Sequence, residues 1–237
     1  AVLPQALNEL SADAWASAAL GIMTTDTVPK SCSEKIQLAG KSVTITGIAK
    51  GAGMIKPNMA TMLAYICTDA EIDQQSLDAL CTKAANRSFN RITVDGDTST
   101  NDAAILMATG QSGIELKQNS DDLAKFQQVL TSLCEELAKE MIRDGEGATK
   151  LITVAVSNCK NEEEAKDVAY TVAHSPLVKT AFFACDPNWG RILAAVGRAG
   201  VKEFALTKVS IALEDVFIVR NGVEAADYKE DRGHDGM

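Results

Sequence analysis

Apolar residues recur at helical spacing in several parts of the chain. The most regular stripe lies between Asp121 and Arg143, where steps of three and four separate Leu123, Phe126, Leu130, Leu133, Leu137 and Met141. Such a stripe predicts an amphipathic helix, and two aspartates at its start suit the helix dipole. Shorter helices are predicted at three places: between a capping Ser11 and Gly21, along the face of Leu77, Leu80, Cys81, Ala84 and Ala85, and after Asn161, which three glutamates follow.

Strand patterns are interleaved with these helices. Val43–Ala49 alternates polar and apolar residues, as a half-buried strand does. More apolar runs predict further strands at Thr61–Cys67, Ala103–Ala108, Leu151–Val156, Val209–Leu213 and Val216–Val219, with Asn221-Gly222 as a hairpin turn after the last. The mixture predicts a layered α/β or α+β fold. No stretch has the composition of a linker, so we expect a single domain.

Composition and charge exclude several functions. The 237 residues have a mean hydropathy of −0.02, and no apolar run reaches the length that spans a bilayer. Ala1–Leu10 lacks the basic start of a signal peptide, so we expect a cytoplasmic protein without a membrane partner. The net charge of −9, without a basic cluster, argues against a nucleic-acid partner.

Cysteine and histidine offer little material for a metal site. The six cysteines are scattered without a CxxC pair, and most of them fit apolar patterns as small buried side chains in the reduced state. His174 and His234 are the only histidines. We therefore expect no bound metal, and a nucleophile in this chain needs a base other than histidine.

The most informative stretch is the loop that follows the predicted strand Val43–Ala49. It has the sequence KGAGMIKPNMATML from Lys50 to Leu63. Neither GxGxxG nor GxxxxGK[ST] is present, so the glycines are weak support for nucleotide binding. The loop presents a small residue and then a hydroxyl, Ala60-Thr61, at the start of a strand. By propensity alone Thr61 is an ordinary β-branched strand residue rather than a nucleophile.

Five further motifs accompany this loop in a fixed order. They are IMTTDT from Ile22 to Thr27, RITVDGDTSTND from Arg91 to Asp102, GEGATK from Gly145 to Lys150, SPLVKT from Ser175 to Thr180, and DPNWGR from Asp186 to Arg191. Together with Lys50–Leu63 they are six motifs in sequence, and the similarity that they carry extends over nearly the whole chain. In these motifs the chain resembles the ornithine acetyltransferases, the bifunctional glutamate N-acetyltransferase family of arginine biosynthesis.

The resemblance implies a precursor that cuts itself between Ala60 and Thr61. Residues 1–60 would then be the end of an α-chain and residues 61–237 most of a β-chain, within one acyltransferase region. The two chains would assemble as an α2β2 heterotetramer. The hydroxyl of Thr61 would be the nucleophile, and its freed α-amine, with a pKa of roughly 8, the general base. An acetyl group would pass from N-acetylornithine to glutamate through an acetyl-Thr61 ester.

The resemblance also implies a fold and a set of substrates. The fold is two sheets sandwiched between helices, like that of the N-terminal-nucleophile hydrolases but with the family's own connectivity. No cofactor is implied, and acetyl-CoA would be a substrate if glutamate is also acetylated directly. The family's Thr-Gly oxyanion pair would precede Ala1, and its last substrate-binding Asn and Thr would follow Met237, so we expect residues 1–237 to be truncated at both ends relative to the family.

Three more residues match substrate-binding positions of the family. Lys50 would pair with a substrate carboxylate or lower the pKa of the amine, Glu146 would pair with an ammonium group, and Thr24 would contact substrate. Each has a plainer interpretation: a solvated lysine at a strand end, a solvated glutamate in a glycine-rich turn, and a threonine in a turn whose hydroxyls bind local backbone. The neighbouring threonines Thr25 and Thr27 leave the register of Thr24 open.

Two acidic motifs receive no catalytic role. The stretch from Asp95 to Asp102 has oxygen ligands at alternating positions, but Thr100 stands where an EF-hand needs glycine and Leu106 where it needs glutamate. A hydrogen-bonded turn is the better interpretation. Asp186–Arg191 predicts a tight turn that leads into a helix.

Two other functions remain open from the sequence. An amidase or aminopeptidase could use the same N-terminal threonine with water as the acceptor. A non-catalytic binding protein is the other alternative, and it predicts that no acetyl-Thr61 forms.

Overall fold

The computed structural model describes residues 2–56, 62–98 and 101–229. These residues form two compact units, Ala1–Leu151 and Ile152–Met237. Each unit combines helices with its own sheet, so the predicted mixed α/β fold class is confirmed. No helix of the described ranges is long and apolar enough to cross a bilayer.

The first unit is built around a four-stranded sheet. Its elements are α1 (Leu3–Asn8), α2 (Trp15–Gly21), β1 (Lys30–Leu38), β2 (Lys41–Lys50), β3 (Leu63–Thr68), α3 (Gln74–Arg87), β4 (Ala103–Ala108) and α4 (Asp121–Arg143). The strand order is β1-β2-β3-β4, antiparallel except for the parallel pair β3-β4. Helix α4 packs on β1 and β2, and α3 packs on β4 and α4. The apolar stripe of α4 is buried there, as the sequence predicted.

The register of β2, β3 and β4 fixes where their connecting loop begins and ends. Lys50, the last residue of β2, lies opposite Leu63, the first residue of β3. On the other side of β3, the Ala103 N–H donates to the Met62 carbonyl over 3.0 Å as β4 begins. The loop from Gly51 to Met62 therefore begins and ends at the same end of the paired strands, beside the start of β4.

The described part of the second unit, residues 152–229, has three α-helices and a small antiparallel sheet. Its elements are α5 (Glu162–Ala173), α6 (Pro176–Phe183), α7 (Trp189–Gly197), β5 (Ile211–Leu213), β6 (Val216–Arg220) and β7 (Val223–Glu224). The side chains of Asn161, Ser175 and Asn188 cap the three helices. Asn221 and Gly222 have φ values of 53° and 77° and make the hairpin between β6 and β7, which confirms the predicted turn.

Four sequence predictions need correction. Leu151–Val156 is not a strand, because an apolar run needs a hydrogen-bonded partner and no described strand pairs with it. Strand β4 has the predicted bounds but is not buried throughout, since it is the last strand of its sheet and Ile105 and Met107 are about 40% exposed. Ala14, not Ser11, is the N-cap of α2, without a side-chain bond. Only Cys134 among the cysteines is fully buried, and Cys185 is exposed.

Candidate active site

A buried ion-pair network lies at the centre of the polar residues in the first unit. The Lys30 Nζ contacts Asp26 Oδ1 at 2.7 Å and Asp144 Oδ2 at 2.6 Å. The side chains of Lys30 and Asp26 have no exposed surface, and that of Asp144 is 4% exposed. Two buried carboxylates therefore share one buried ammonium, an arrangement that is costly unless every polar atom is bonded.

Backbone donors complete this network. Asp26 accepts from the N–H of Gly51 at 2.6 Å and from the N–H of Thr24 at 3.1 Å. Asp144 accepts from the N–H of Thr27 at 2.9 Å and from its hydroxyl. The network thus ties together three segments that are far apart in sequence: the turn before β1, the loop after β2, and the turn after α4.

Hydrogen bonds decide the charge state of both carboxyl groups. Burial raises the pKa of each, but the Lys30 ammonium and the donors named above lower it more. The net result is a lowered pKa for Asp26 and a pKa of about 2 for Asp144. Both carboxyl groups are therefore ionised near neutral pH.

The three tied segments carry the three substrate-binding residues that the sequence predicted and the structure describes. The half-buried Lys50 lies at the end of β2, and its Nζ is 3.4 Å from the hydroxyl of exposed Thr24. Glu146 is exposed, but its backbone N–H donates to the Ala52 carbonyl over 2.8 Å. One ammonium therefore lies where the loop after β2 begins, and one carboxylate, from the turn after α4, lies beside that loop.

Gly53 brings this loop and Glu146 into close contact. A Cβ atom on Gly53 would lie 2.8 Å from both Cδ and Oε1 of Glu146, closer than Cβ atoms approach other atoms in real structures. The missing side chain thus makes room for the Glu146 carboxylate against the loop.

Asp95 holds the next part of the same loop. Its carboxylate accepts from the N–H of Met54 at 2.5 Å, from that of Ile55 at 3.1 Å and from that of Asp97 at 3.0 Å. The Val94 N–H donates to the Ile55 carbonyl over 2.7 Å. The predicted hydrogen-bonded turn at Asp95 is confirmed. Asp95 also fixes the Met54–Ile55 part of the loop after β2.

Asp102 lies where the loop rejoins the sheet. Both of its carboxylate oxygens are shielded from solvent, and neither makes a hydrogen bond of good geometry with a described residue. Burial raises the pKa of Asp102 to about 6, while the backbone N–H of Met62 and the charge of Lys50 offset part of that rise. A shielded carboxylate without a clear partner is rare and calls for a functional explanation.

The predicted nucleophile and cleavage residues, Thr61 and Ala60, lie outside the described residues. Lys50 and Met62 lie at the two ends of the loop that contains them, and Asp102 lies near Met62. Among the described side chains, no cluster of three or more His, Cys, Asp or Glu is placed to hold a metal ion.

The class of protein follows from these features. It is a mixed α/β protein whose charged site surrounds one loop between two neighbouring strands. The model of the ArgJ family matches residues 1–237, and the chain belongs to this family. The family resemblance that the sequence motifs indicated is confirmed.

Individual relatives agree with this assignment. The arginine biosynthesis bifunctional protein ArgJ of Pseudomonas fluorescens (strain Pf0-1) is 54% identical over 233 residues, which are 98% of this chain and 58% of that protein. The protein of the same name from Methylococcus capsulatus is 54% identical over 234 residues, 98% of this chain and 57% of its own length. The chain thus spans less than two thirds of the curated relatives it matches.

A solved structure supports the fold. The crystal structure of the arginine biosynthesis bifunctional protein ArgJ from Bacillus halodurans superposes with a TM-score of 0.67 at 41% identity. The match covers 70% of this chain and 78% of that chain.

Sequence reasoning missed the residues that assemble the site. Asp26, Lys30 and Asp144 were assigned no role, although Asp26 and Asp144 stand within or beside quoted motifs. The i, i+4 spacing of Asp26 and Lys30 falls across a turn and the start of a strand, so it gave no helical signal. Asp144 is 114 residues from Lys30, and no local pattern links them.

Proposed function

We propose that the protein containing this chain is an acetyltransferase of arginine biosynthesis, which moves an acetyl group from N2-acetylornithine to glutamate. The observation that carries the proposal is a pair of opposite charges beside the loop between β2 and β3 that leads to Thr61. Lys50 ends β2 where that loop begins, and Glu146, in the turn after α4, lies against the loop at Ala52 and Gly53. Both substrates are amino acids with charges of both signs. Membership of the ArgJ family and the names of the relatives support the same reaction.

The chemistry begins with a cut between Ala60 and Thr61. The Thr61 hydroxyl attacks the Ala60 carbonyl, the peptide C–N bond breaks as the nitrogen gains a proton, and water hydrolyses the resulting ester. The products are a carboxylate on Ala60 and a free α-amine on Thr61. Strands β2 and β3 lie on opposite sides of this bond and pair along six residues from Ile45↔Thr68 to Lys50↔Leu63, so the two pieces stay joined in one sheet.

Acetyl transfer then takes place in two steps. The α-amine of Thr61 takes the hydroxyl proton as Oγ attacks the acetyl carbonyl of N2-acetylornithine. The amide C–N bond breaks, the proton passes to the departing nitrogen of ornithine, and acetyl-Thr61 remains. In the second step the neutral amine of glutamate attacks the ester carbonyl, Oγ leaves and regains a proton, and N-acetylglutamate is released.

Lys50 and Glu146 have separate tasks in binding. The Lys50 ammonium pairs with the α-carboxylate that both substrates carry, with Thr24 beside it as a further donor. The Glu146 carboxylate, held against Gly53, pairs with the side-chain ammonium of ornithine. Each charged hydrogen bond contributes roughly 1.5–3 kcal/mol. The proposed reaction needs no bound metal or organic cofactor, and acetyl-CoA is a second acetyl donor for the same ester.

The assembly and location belong to the same proposal. The cut α- and β-chains form an α2β2 heterotetramer in the cytoplasm.

Rapid-quench peptide mapping tests this function. Full-length protein is mixed with N2-acetylornithine in the absence of glutamate, and we expect a gain of one acetyl group on Thr61 alone. Addition of glutamate should remove that group and yield N-acetylglutamate. If the ester instead disappears at the same rate without glutamate, the protein is an amidase that uses water. An acetyl group on another residue, with Thr61 unmodified, contradicts the proposal.

A further inference from the structure

Asp102 has a shielded carboxylate that makes no hydrogen bond of good geometry with a described residue, and it lies near Met62, the residue that follows Thr61 in sequence. Its carboxylate lies near the Met62 N–H, and Ala103 of the same segment bonds the Met62 carbonyl over 3.0 Å. Three covalent bonds separate the Met62 nitrogen from the α-nitrogen of Thr61, which puts the two nitrogens roughly 3 Å apart in any backbone conformation. A side chain that lies near the Met62 nitrogen is therefore also close to the Thr61 α-nitrogen.

The charge of Asp102 also favours a contact between its carboxylate and the freed α-amine of Thr61. Asp102 carries a negative charge near neutral pH, although it is out of contact with solvent and has no described hydrogen-bond donor of good geometry. A buried carboxylate in this state is strongly stabilised by a cationic donor. Lys50 on β2 is the described cation whose field acts on it, but it makes no hydrogen bond to Asp102 at normal geometry. The α-ammonium that appears on Thr61 after cleavage has three N–H donors and the right sign.

We infer that Asp102 accepts a hydrogen bond from the freed α-amino group of Thr61 and holds that group beside the Thr61 hydroxyl. The inference rests on the proposed function, because the amine exists only after the cut. Asp102 does not touch the substrate. It orients the amine that serves as the base, and its negative charge raises the pKa of that amine against the opposing effect of Lys50.

The test compares Asp102→Asn with Asp97→Asn in the full-length protein. Both substitutions remove one carboxylate from the segment that precedes β4, but Asp97 is exposed. In Asp102→Asn we expect cleavage to continue, kcat to fall roughly ten- to hundredfold, and KM to change little. The acidic limb of the kcat/KM profile should move about one unit to lower pH, because the amine has lost its anionic partner. Asp97→Asn should match wild type in all of these.

A second measurement determines the pKa of the Thr61 α-amine independently of catalysis. The rate at which an amine-selective reagent labels the Thr61 α-nitrogen, followed by pH, gives its pKa, which should fall in Asp102→Asn and not in Asp97→Asn. If Asp102→Asn does not fold, Asp102→Glu keeps the charge on a longer arm, so kcat should fall while the acidic limb stays in place. An unchanged kcat in Asp102→Glu would then overturn the inference.

The outcomes separate this inference from the proposed function. Acetyl-Thr61 in wild type, together with an unchanged pH limb and amine pKa in Asp102→Asn, overturns the inference alone. A folded Asp102→Asn protein that stays uncut also overturns it, because Asp102 would then act in cleavage rather than on the freed amine. If wild type forms no acetyl-Thr61, the proposed function fails and the inference fails with it.

Discussion

Lys30 forms ion pairs with two aspartates in an almost completely buried position. Asp26 and Asp144 lie 2.7 and 2.6 Å from its Nζ, and all three side chains are almost completely buried. A buried ion network of this kind adds little net stability compared with apolar residues, but loss of one partner leaves an uncompensated charge. Since the network joins the turn of Thr24 to the loop of Lys50 and the turn of Glu146, its main effect is on the geometry of the site.

The first prediction at this scale is that Lys30→Met destabilises the fold by about 3–5 kcal/mol at pH 7. The substitution keeps the volume of the side chain but leaves two carboxylates buried without a cation. Urea denaturation gives the free energy of unfolding, and Lys117→Met is the control, because Lys117 is 73% exposed with only a surface partner. The control should change stability by less than about 1 kcal/mol. A loss below that limit in Lys30→Met would contradict the structural role given to the network.

The same network predicts how stability depends on pH. The folded pKa of Asp144 is about 2, below its ordinary value, so its contribution is fully present above pH 4 and is lost as the pH falls toward 2. Asp26 has the same sign. In Lys30→Met, protonation of the two buried carboxylates at low pH removes their uncompensated charge and so stabilises the folded state. The difference in unfolding free energy between wild type and variant should therefore narrow from pH 5 to pH 3. A constant difference would show that these two groups do not titrate with folding.

At the scale of elements, the loop after β2 and the turn after α4 meet through a residue without a side chain. Gly53 leaves room for the Glu146 carboxylate, and the Glu146 N–H binds the carbonyl of Ala52. The φ angle of Gly53 is not positive, so alanine suits its backbone. The three described atoms nearest to the new methyl group all belong to the flexible end of Glu146.

We therefore predict that Gly53→Ala displaces the Glu146 carboxylate without loss of stability. The KM for N2-acetylornithine should rise roughly ten- to hundredfold, as it should in Glu146→Gln, since each lost charged bond costs roughly 1.5–3 kcal/mol. The melting temperature should stay within a few degrees of wild type. Gly21→Ala is the matched control, because its Cβ meets nothing within 4 Å. An unchanged KM in both Gly53→Ala and Glu146→Gln would return Glu146 to the role of a solvated surface residue.

Sequence patterns predicted elements best where a local signal agreed with the packing. Helix α4 has the predicted bounds, because its stripe fits one face of a sheet and Ser120 caps it. Strand β1 was missed, since most of KSCSEKIQL is polar and only its ends are buried. Leu151–Val156 shows the opposite error, an apolar run without a pairing strand. Whether a run becomes a strand depends on neighbours far away in sequence, which a single sequence does not reveal.

For the molecule as a whole, family motifs predicted more of the candidate site than periodicity did. Thr24, Lys50 and Glu146 were proposed from motifs more than 120 residues apart, and the structure brings their three segments together. Their roles in substrate binding stay predictions. The Asp26–Lys30–Asp144 network and the position of Asp102 could not be predicted, because both depend on contacts across the fold.

The proposed cut also belongs to this scale, since it divides the chain between two paired strands. Residues up to Ala60 contribute β1 and β2, and residues from Thr61 contribute β3, β4 and the helix α4 that packs on β1 and β2. The backbone ladder between β2 and β3 and the buried core under α4 would both link the pieces. We therefore expect the cut pieces to purify together and to separate only under denaturing conditions.

The most direct test of the account is a denaturing mass spectrum of the full-length protein beside its Thr61→Ala and Thr61→Ser variants. Wild type should give two pieces, the second with Thr61 at its N-terminus, whereas Thr61→Ala should remain one chain. Thr61→Ser keeps a hydroxyl and should still be cut. An uncut wild-type protein that transfers acetyl groups at its full rate would contradict the N-terminal-threonine mechanism. Cleavage of Thr61→Ala at the same bond would show that this hydroxyl does not make the cut.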